Sequence, residues 1–185
     1  FFYNVHIVFV GSINNPVGFA FIYRRKYVKE LLDKYEPVFG DDLTNSEDIF
    51  IGFALNNEGY RNGQLQDVVA RSEEPEVQRL PRQVYLWSSS FLQSCYYFDA
   101  LLRTPFKLFK RARKKREERK SGVAHLRKIA EQYRQPFGEA HSREYGRPIG
   151  WAMFLSAIEK VGFPTALIIL VILRMWEPLA VTLIA

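Results

Sequence analysis

The sequence predicts an α/β domain that passes into amphipathic, interfacial helices and then into a transmembrane helix region. Three observations lead to that expectation. Short β-rich apolar runs alternate with helix-period stretches over residues 1–88. Residues 103–128 hold 12 Lys and Arg against two acids, Glu117 and Glu118. Residues 149–173 carry only two charges, Glu159 and Lys160. The chain of 185 residues therefore divides into 1–88, 89–148 and 149–185. Its net charge of +6 is local: the basic segment contributes +10 and the remainder −4.

The elements follow in order. Residues 6–10 (His-Ile-Val-Phe-Val) read as a buried strand closed by Gly11-Ser12, and Asn14-Asn15-Pro16 as a turn. Residues 19–23 read as a second strand, followed by a helix over 26–34 and a loop over 35–45 rich in Pro, Gly, Asp and Asn. Ser46 has the character of a helix N-cap, with Glu47 and Asp48 in the first turn, where the helix dipole favours carboxylates. Ile49, Phe50, Phe53 and Ala54 give that helix an apolar face, and Asn57-Glu58-Gly59 ends it. Residues 64–70 have the composition of a short strand.

Further on, Phe91, Cys95, Phe98 and Leu102 recur at the spacing of one helix face within 83–109, and Pro105 interrupts it. Residues 111–120 are a basic run with no apolar face, read as an exposed helix or linker. The single cysteine, Cys95, excludes an internal disulfide framework. Residues 135–138 and 146–148 are breaks. Beyond Pro148 we expect a span over 151–173 with a far-side turn at 174–178, and a second span opening at Leu179. In the alternative, 149–161 is interfacial and 163–185 is one span. The basic excess N-terminal to this region places that side in the cytoplasm. No Asp-x-Asp, glycine-rich phosphate loop or metal-ligand spacing of His6, His125 and His141 occurs. Asp41 and Asp42 read as loop acids.

Two short motifs carry the chemistry. Ser46-Glu47-Asp48 places carboxylates at a helix start, suited to taking a proton from a hydroxyl. Thirty-five residues after Asp48, Gln83-Val84-Tyr85-Leu86-Trp87 opens the aromatic helix. Upstream stands Gly18-Phe19-Ala20-Phe21-Ile22-Tyr23-Arg24-Arg25. This order of parts resembles the acceptor half of the membrane-associated family 2 glycosyltransferases, the group of cellulose and hyaluronan synthases. The resemblance spans about residues 5–109 and implies part of a GT-A-like domain over 1–88, continued in a missing N-terminal donor-binding half. It also implies transfer from a nucleotide-sugar donor to a growing glycan or glycolipid acceptor, with Asp48 as base beside Glu47. Gly18, Arg24, Arg25, Arg82, Gln83 and Trp87 would serve donor and acceptor, Trp87 as the floor beneath the sugar. Leu86 stands where the family carries Arg, leaving Arg82 to reach the donor. Mg2+ or Mn2+ is implied for the full enzyme, with ligands outside this chain. Membrane lipids are the further partner, nucleic acid is not expected, and the implied location is the inner (plasma) membrane, multi-pass, with the catalytic part cytoplasmic. The alternative is a non-catalytic membrane-anchored module binding or building through residues 103–128.

Overall fold

In the computed structural model the described residues are 12–13, 21–39, 46–63, 76–121 and 138–184. They form eight α-helices: α1 (Arg25–Phe39), α2 (Glu47–Glu58), α3 (Leu80–Tyr97), α4 (Asp99–Leu102), α5 (Leu108–Lys120), α6 (Gly138–Tyr145), α7 (Ile149–Ile172) and α8 (Trp176–Ile184). A single 3-10 turn, Pro105–Lys107, precedes α5. The expected α/β class with its GT-A-like sheet is thus corrected: among the described residues there is no strand, and the architecture is mostly helical. Of the strand expected over 19–23, the described part, Phe21 to Tyr23, has no regular secondary structure, and Ile22 is 91% exposed. The other two expected strands, 6–10 and 64–70, lie outside the described residues.

The core is an aromatic knot on α2. Phe53 is fully buried and meets Phe91 of α3 edge-on, with ring centroids 5.2 Å apart. Phe50 lies 5.3 Å from Phe98, and Tyr35 of α1 meets both, at 6.0 and 5.5 Å. Such tilted and edge-on pairs add to the apolar area they bury. Leu31, Cys95, Leu101, Ile149 and Met153 complete the cluster, so α1, α2, α3, α4 and α7 share one core. Tyr35 also explains why α1 runs to Phe39, past the expected end near Lys34: its burial holds the next turn in place.

The long helix expected from Gln83 breaks earlier than Pro105. Phe98, at φ −109° and ψ 46°, ends α3, and the four-residue α4 restarts at a new angle. The shift in phase buries Leu101 completely and leaves Leu102 only partly covered. Pro105 then marks the 3-10 turn.

The segment between α6 and α7 passes against this turn. Gly146, at φ 68°, lies so near Thr104 that a Cβ there would stand 2.6 Å from Oγ1, and the Arg147 N–H donates to the same oxygen at 3.0 Å. Gly150 leaves no room for a Cβ beside the Leu101 carbonyl. Only glycine lets the two backbones meet so closely.

α7 is one unbroken helix of 24 residues, about 36 Å at 1.5 Å per residue, and is long and apolar enough to cross a membrane. Ile149, Gly150 and Met153 are buried in the bundle, whereas no residue of α7 from Phe154 to Ile172 is. Pro164 lies inside it without ending it, and the Thr165 hydroxyl donates to the Val161 carbonyl at 2.7 Å. The helix closes with Met175 N–H donating to Leu170 O at 2.9 Å over Arg174, which takes the left-handed conformation at φ 55°. α8 begins at Trp176, with Pro178 in its first turn, where its missing N–H is harmless.

Phe53→Ala should remove about 3–5 kcal/mol of stability by leaving a cavity among Phe91, Phe98 and Phe50. Chemical denaturation followed by far-UV circular dichroism measures it, and a loss below about 1 kcal/mol would place the core elsewhere.

Candidate functional site

α2 presents its first turn to the middle of α3. Ser46 occupies the N-cap position in extended conformation, but its side chain makes no capping bond. Its backbone N–H instead donates to Ser90 Oγ at 3.1 Å, and the Ser90 hydroxyl donates to the Leu86 carbonyl at 2.7 Å. Ser90 therefore ties the acidic turn to the turn of α3 that carries Leu86 and Trp87. Gln83, Trp87 and Ser90 follow at i, i+4 and i+7, the spacing of one helix face. Both motifs, 35 residues apart in the sequence, are brought to one place.

Asp48 is half-buried, and burial pushes its carboxyl above the ordinary aspartate value; Glu47 adds to the rise, against the Ile49 N–H that donates to Oδ1 at 2.8 Å. Glu47 itself is exposed. Tyr23 completes the arrangement. Its hydroxyl is pushed up to about 12, by burial first and then by the carboxylates of Asp48 and Glu47. Tyr23 is thus held neutral beside the dyad, and its buried hydroxyl finds no hydrogen-bond partner among the described residues. Gln83 Oε1 is likewise buried and unpartnered. Each is a buried polar atom with unfilled hydrogen-bonding capacity.

Trp87 is 50% exposed, and its neighbours Tyr85 and Leu86 are exposed too. Arg82 stands exposed at the start of α3. The Arg24 carbonyl accepts the Tyr27 and Val28 N–H groups that open α1. Arg25 lines an open hollow of about 480 Å³ together with Tyr23, Val28, Lys29, Leu32 and Asp33. The Ser46–Ser90 contact so joins the start of α2, with Glu47 and Asp48, to the helix α3 that carries Gln83 and Trp87, and Arg25 and Tyr23 line one hollow. Gly18, Asp41 and Asp42 lie outside the described residues.

Tyr23 and Ser90 were not singled out by sequence. Tyr23 was absorbed into an expected strand. Ser90 had a visible signal in Ser88-Ser89-Ser90, a polar run inside an aromatic helix. Among the described residues no three His, Cys, Asp or Glu side chains group as a metal site. No protein-family model, curated protein or solved structure matches this chain.

An aspartate whose value is raised on folding holds its proton more tightly in the native than in the unfolded state. Its contribution to stability therefore falls as pH rises from the unfolded value, near 3.8, through the raised one. Asp48→Asn removes this fall, so the stability of the variant relative to the parent should increase between pH 3 and pH 7. Denaturation midpoints across that range test it. An advantage that shrinks with pH would mean that the helix dipole outweighs burial at this carboxylate.

Proposed function

We propose that this chain carries the acceptor side of a membrane-bound glycosyltransferase that moves a sugar from a nucleotide-sugar donor to a glycan or glycolipid. The supporting observation is the Ser46–Ser90–Leu86 link, which joins an acidic helix start to an exposed tryptophan. In this reading the sugar lies on the Trp87 indole, whose flat apolar face suits the C–H face of a pyranose. Its hydroxyl points to Asp48.

As that oxygen attacks the anomeric carbon of the donor, its proton passes to the Asp48 carboxylate. The bond between that carbon and the diphosphate breaks, and the electron pair leaves with the nucleotide diphosphate. The raised proton affinity of Asp48 suits the task, since a base nearer the working pH is more effective. Tyr23, neutral at physiological pH, has a proton to donate toward the dyad, and Gln83 Oε1 can accept from a sugar hydroxyl. Arg82, with Arg24 and Arg25, supplies the positive charge for the leaving diphosphate in this reading. A Mg2+ or Mn2+ ion on that diphosphate would draw its ligands from beyond the described residues.

α7 provides the membrane attachment in this proposal. The part beyond Met153 measures about 29 Å at 1.5 Å per residue, close to the roughly 30 Å of a hydrocarbon core. The bundle, with its basic segment, then lies on the cytoplasmic face.

In membranes containing the full-length protein, Asp48→Asn should lower sugar transfer by at least about 100-fold with donor binding retained. Trp87→Ala should raise the acceptor KM with a smaller effect on the donor. Both are read from incorporation of radiolabelled sugar from UDP-sugars. Near-parental turnover in Asp48→Asn would remove the carboxylate from the chemistry.

A further inference from the structure

The two sides of α5 differ in a way its even basic composition conceals. One side is docked. Lys107, just before it, donates to the Ala100 and Ser142 carbonyls at 3.2 and 3.1 Å. Lys110 pairs with Glu144 at 3.1 Å, and Lys114 lies 3.6 Å from the centre of the Tyr145 ring. These cations serve the contact with α6. The other side is open. Ala112, Lys115, Arg116 and Arg119 are exposed at i, i+3, i+4 and i+7 and line one shallow hollow. Lys115, Arg116 and Arg119 are in no ion pair among the described residues.

The same open stripe runs back through Leu108 and Phe109, four and three residues before Ala112. Phe109 is 91% exposed, and Phe106 in the adjoining turn is 77% exposed. The Phe106 ring meets Phe154 edge-on at 5.8 Å, and Phe154 is where α7 leaves the core. Aromatic residues at one end, cations at the other, and a junction with the apolar helix make one surface.

We propose that this open face of α5 rests on an anionic lipid leaflet, with Phe106 and Phe109 at the acyl boundary and Lys115, Arg116 and Arg119 on lipid phosphates. Charge complementarity and continuity with α7 identify the occupant. An aromatic ring lowered into the boundary region removes apolar surface from water, and cations one to two turns away meet the headgroups. Nucleic acid fits less well, because the aromatic residues stand at one end of the stripe and are not interleaved with the cations as stacking platforms. The proposal requires α7 to enter the bilayer and is independent of sugar transfer.

The test uses the full chain carrying Phe109→Cys, labelled with a polarity-sensitive fluorophore. Cys95 is buried with its thiol pushed up to about 12, which leaves the new thiol as the reactive one. The protein is reconstituted into phosphatidylcholine vesicles with or without about 30% phosphatidylglycerol, and alkaline carbonate confirms insertion. We expect a blue shift and at least a two-fold rise in emission in the anionic vesicles, reduced by 0.5 M salt as screening requires. Lys115→Glu, Arg116→Glu and Arg119→Glu together should abolish the lipid dependence with carbonate resistance unchanged. Equal emission in the two lipids, or a lipid dependence that survives charge reversal, overturns the proposal. A single-stranded RNA that shifts the label in phosphatidylcholine vesicles would reassign the face to nucleic acid.

Discussion

The Arg147 guanidinium lies against Gly59, where α2 ends, so close that any Cβ at that glycine would collide with it. Gly59 sits at φ 100°, the left-handed cap that exposes the last carbonyls of the helix. Arg147 donates to Glu58 O at 3.4 Å and to Ser142 Oγ at 2.8 Å, and the Ser142 hydroxyl donates in turn to Asn57 O. A cation at a helix C-terminus is favoured by the dipole as well as by these bonds. Because Arg147 stands between α6 and α7, this contact fixes the root of the apolar helix to α2. The other end of α2, about 18 Å away, carries Glu47 and Asp48. The position of the acidic dyad and the direction of α7 thus depend on the same rigid rod.

The two ends of that rod differ in their polar groups. Near the C-terminal end most buried polar side chains are matched, although Asn57 Oδ1 has no partner among the described residues. The Ser12 hydroxyl donates to Asn56 Oδ1 at 2.9 Å, the Asn62 N–H donates to Ser12 Oγ at 3.0 Å, and Asn56 Nδ2 donates to Gly52 O at 2.9 Å. Lys34 joins Glu58 to Glu139 across α1, α2 and α6. At the N-terminal end the Tyr23 hydroxyl, close enough to feel Asp48 and Glu47, lacks a partner among the described residues, and burial works against the ionised form of Asp48. Buried polar groups are normally satisfied, and Tyr23, Gln83 and Asn57 each leave one such atom unpartnered among the described residues.

Local signals in the sequence were read correctly where they act within one element. Ser46 and Gly59 bracket α2, Pro105 marks a turn, and residues 149–172 form one helix. The reading failed where a tertiary partner decides. Phe21, Ile22 and Tyr23 have strand composition, yet a strand needs a neighbour, and Tyr23 turns to the acidic dyad instead. The break at Phe98 carries no Pro or Gly; it arises where Phe98 inserts among Phe50, Phe53 and Tyr35, and it moves burial from Leu102 to Leu101. Of the site, the residue types at Asp48 and Trp87 were legible. The meeting of the two segments that carry them was not, because it depends on Ser90, whose part appears only once α2 and α3 are side by side.

The meeting of α2 and α3 at Ser46 and Ser90 is therefore the point to measure. In Ser46→Cys, Ser90→Cys the Ser46 backbone N–H is retained, and a short bifunctional thiol reagent reports whether the two positions are neighbours in the folded protein. The account predicts rapid cross-linking in detergent, at least ten-fold faster than for Glu58→Cys with Ser90→Cys, which puts the partner thiol at the other end of α2. Equal rates for the two pairs, or no cross-link at 46 and 90 in a protein with native helix content, would contradict it.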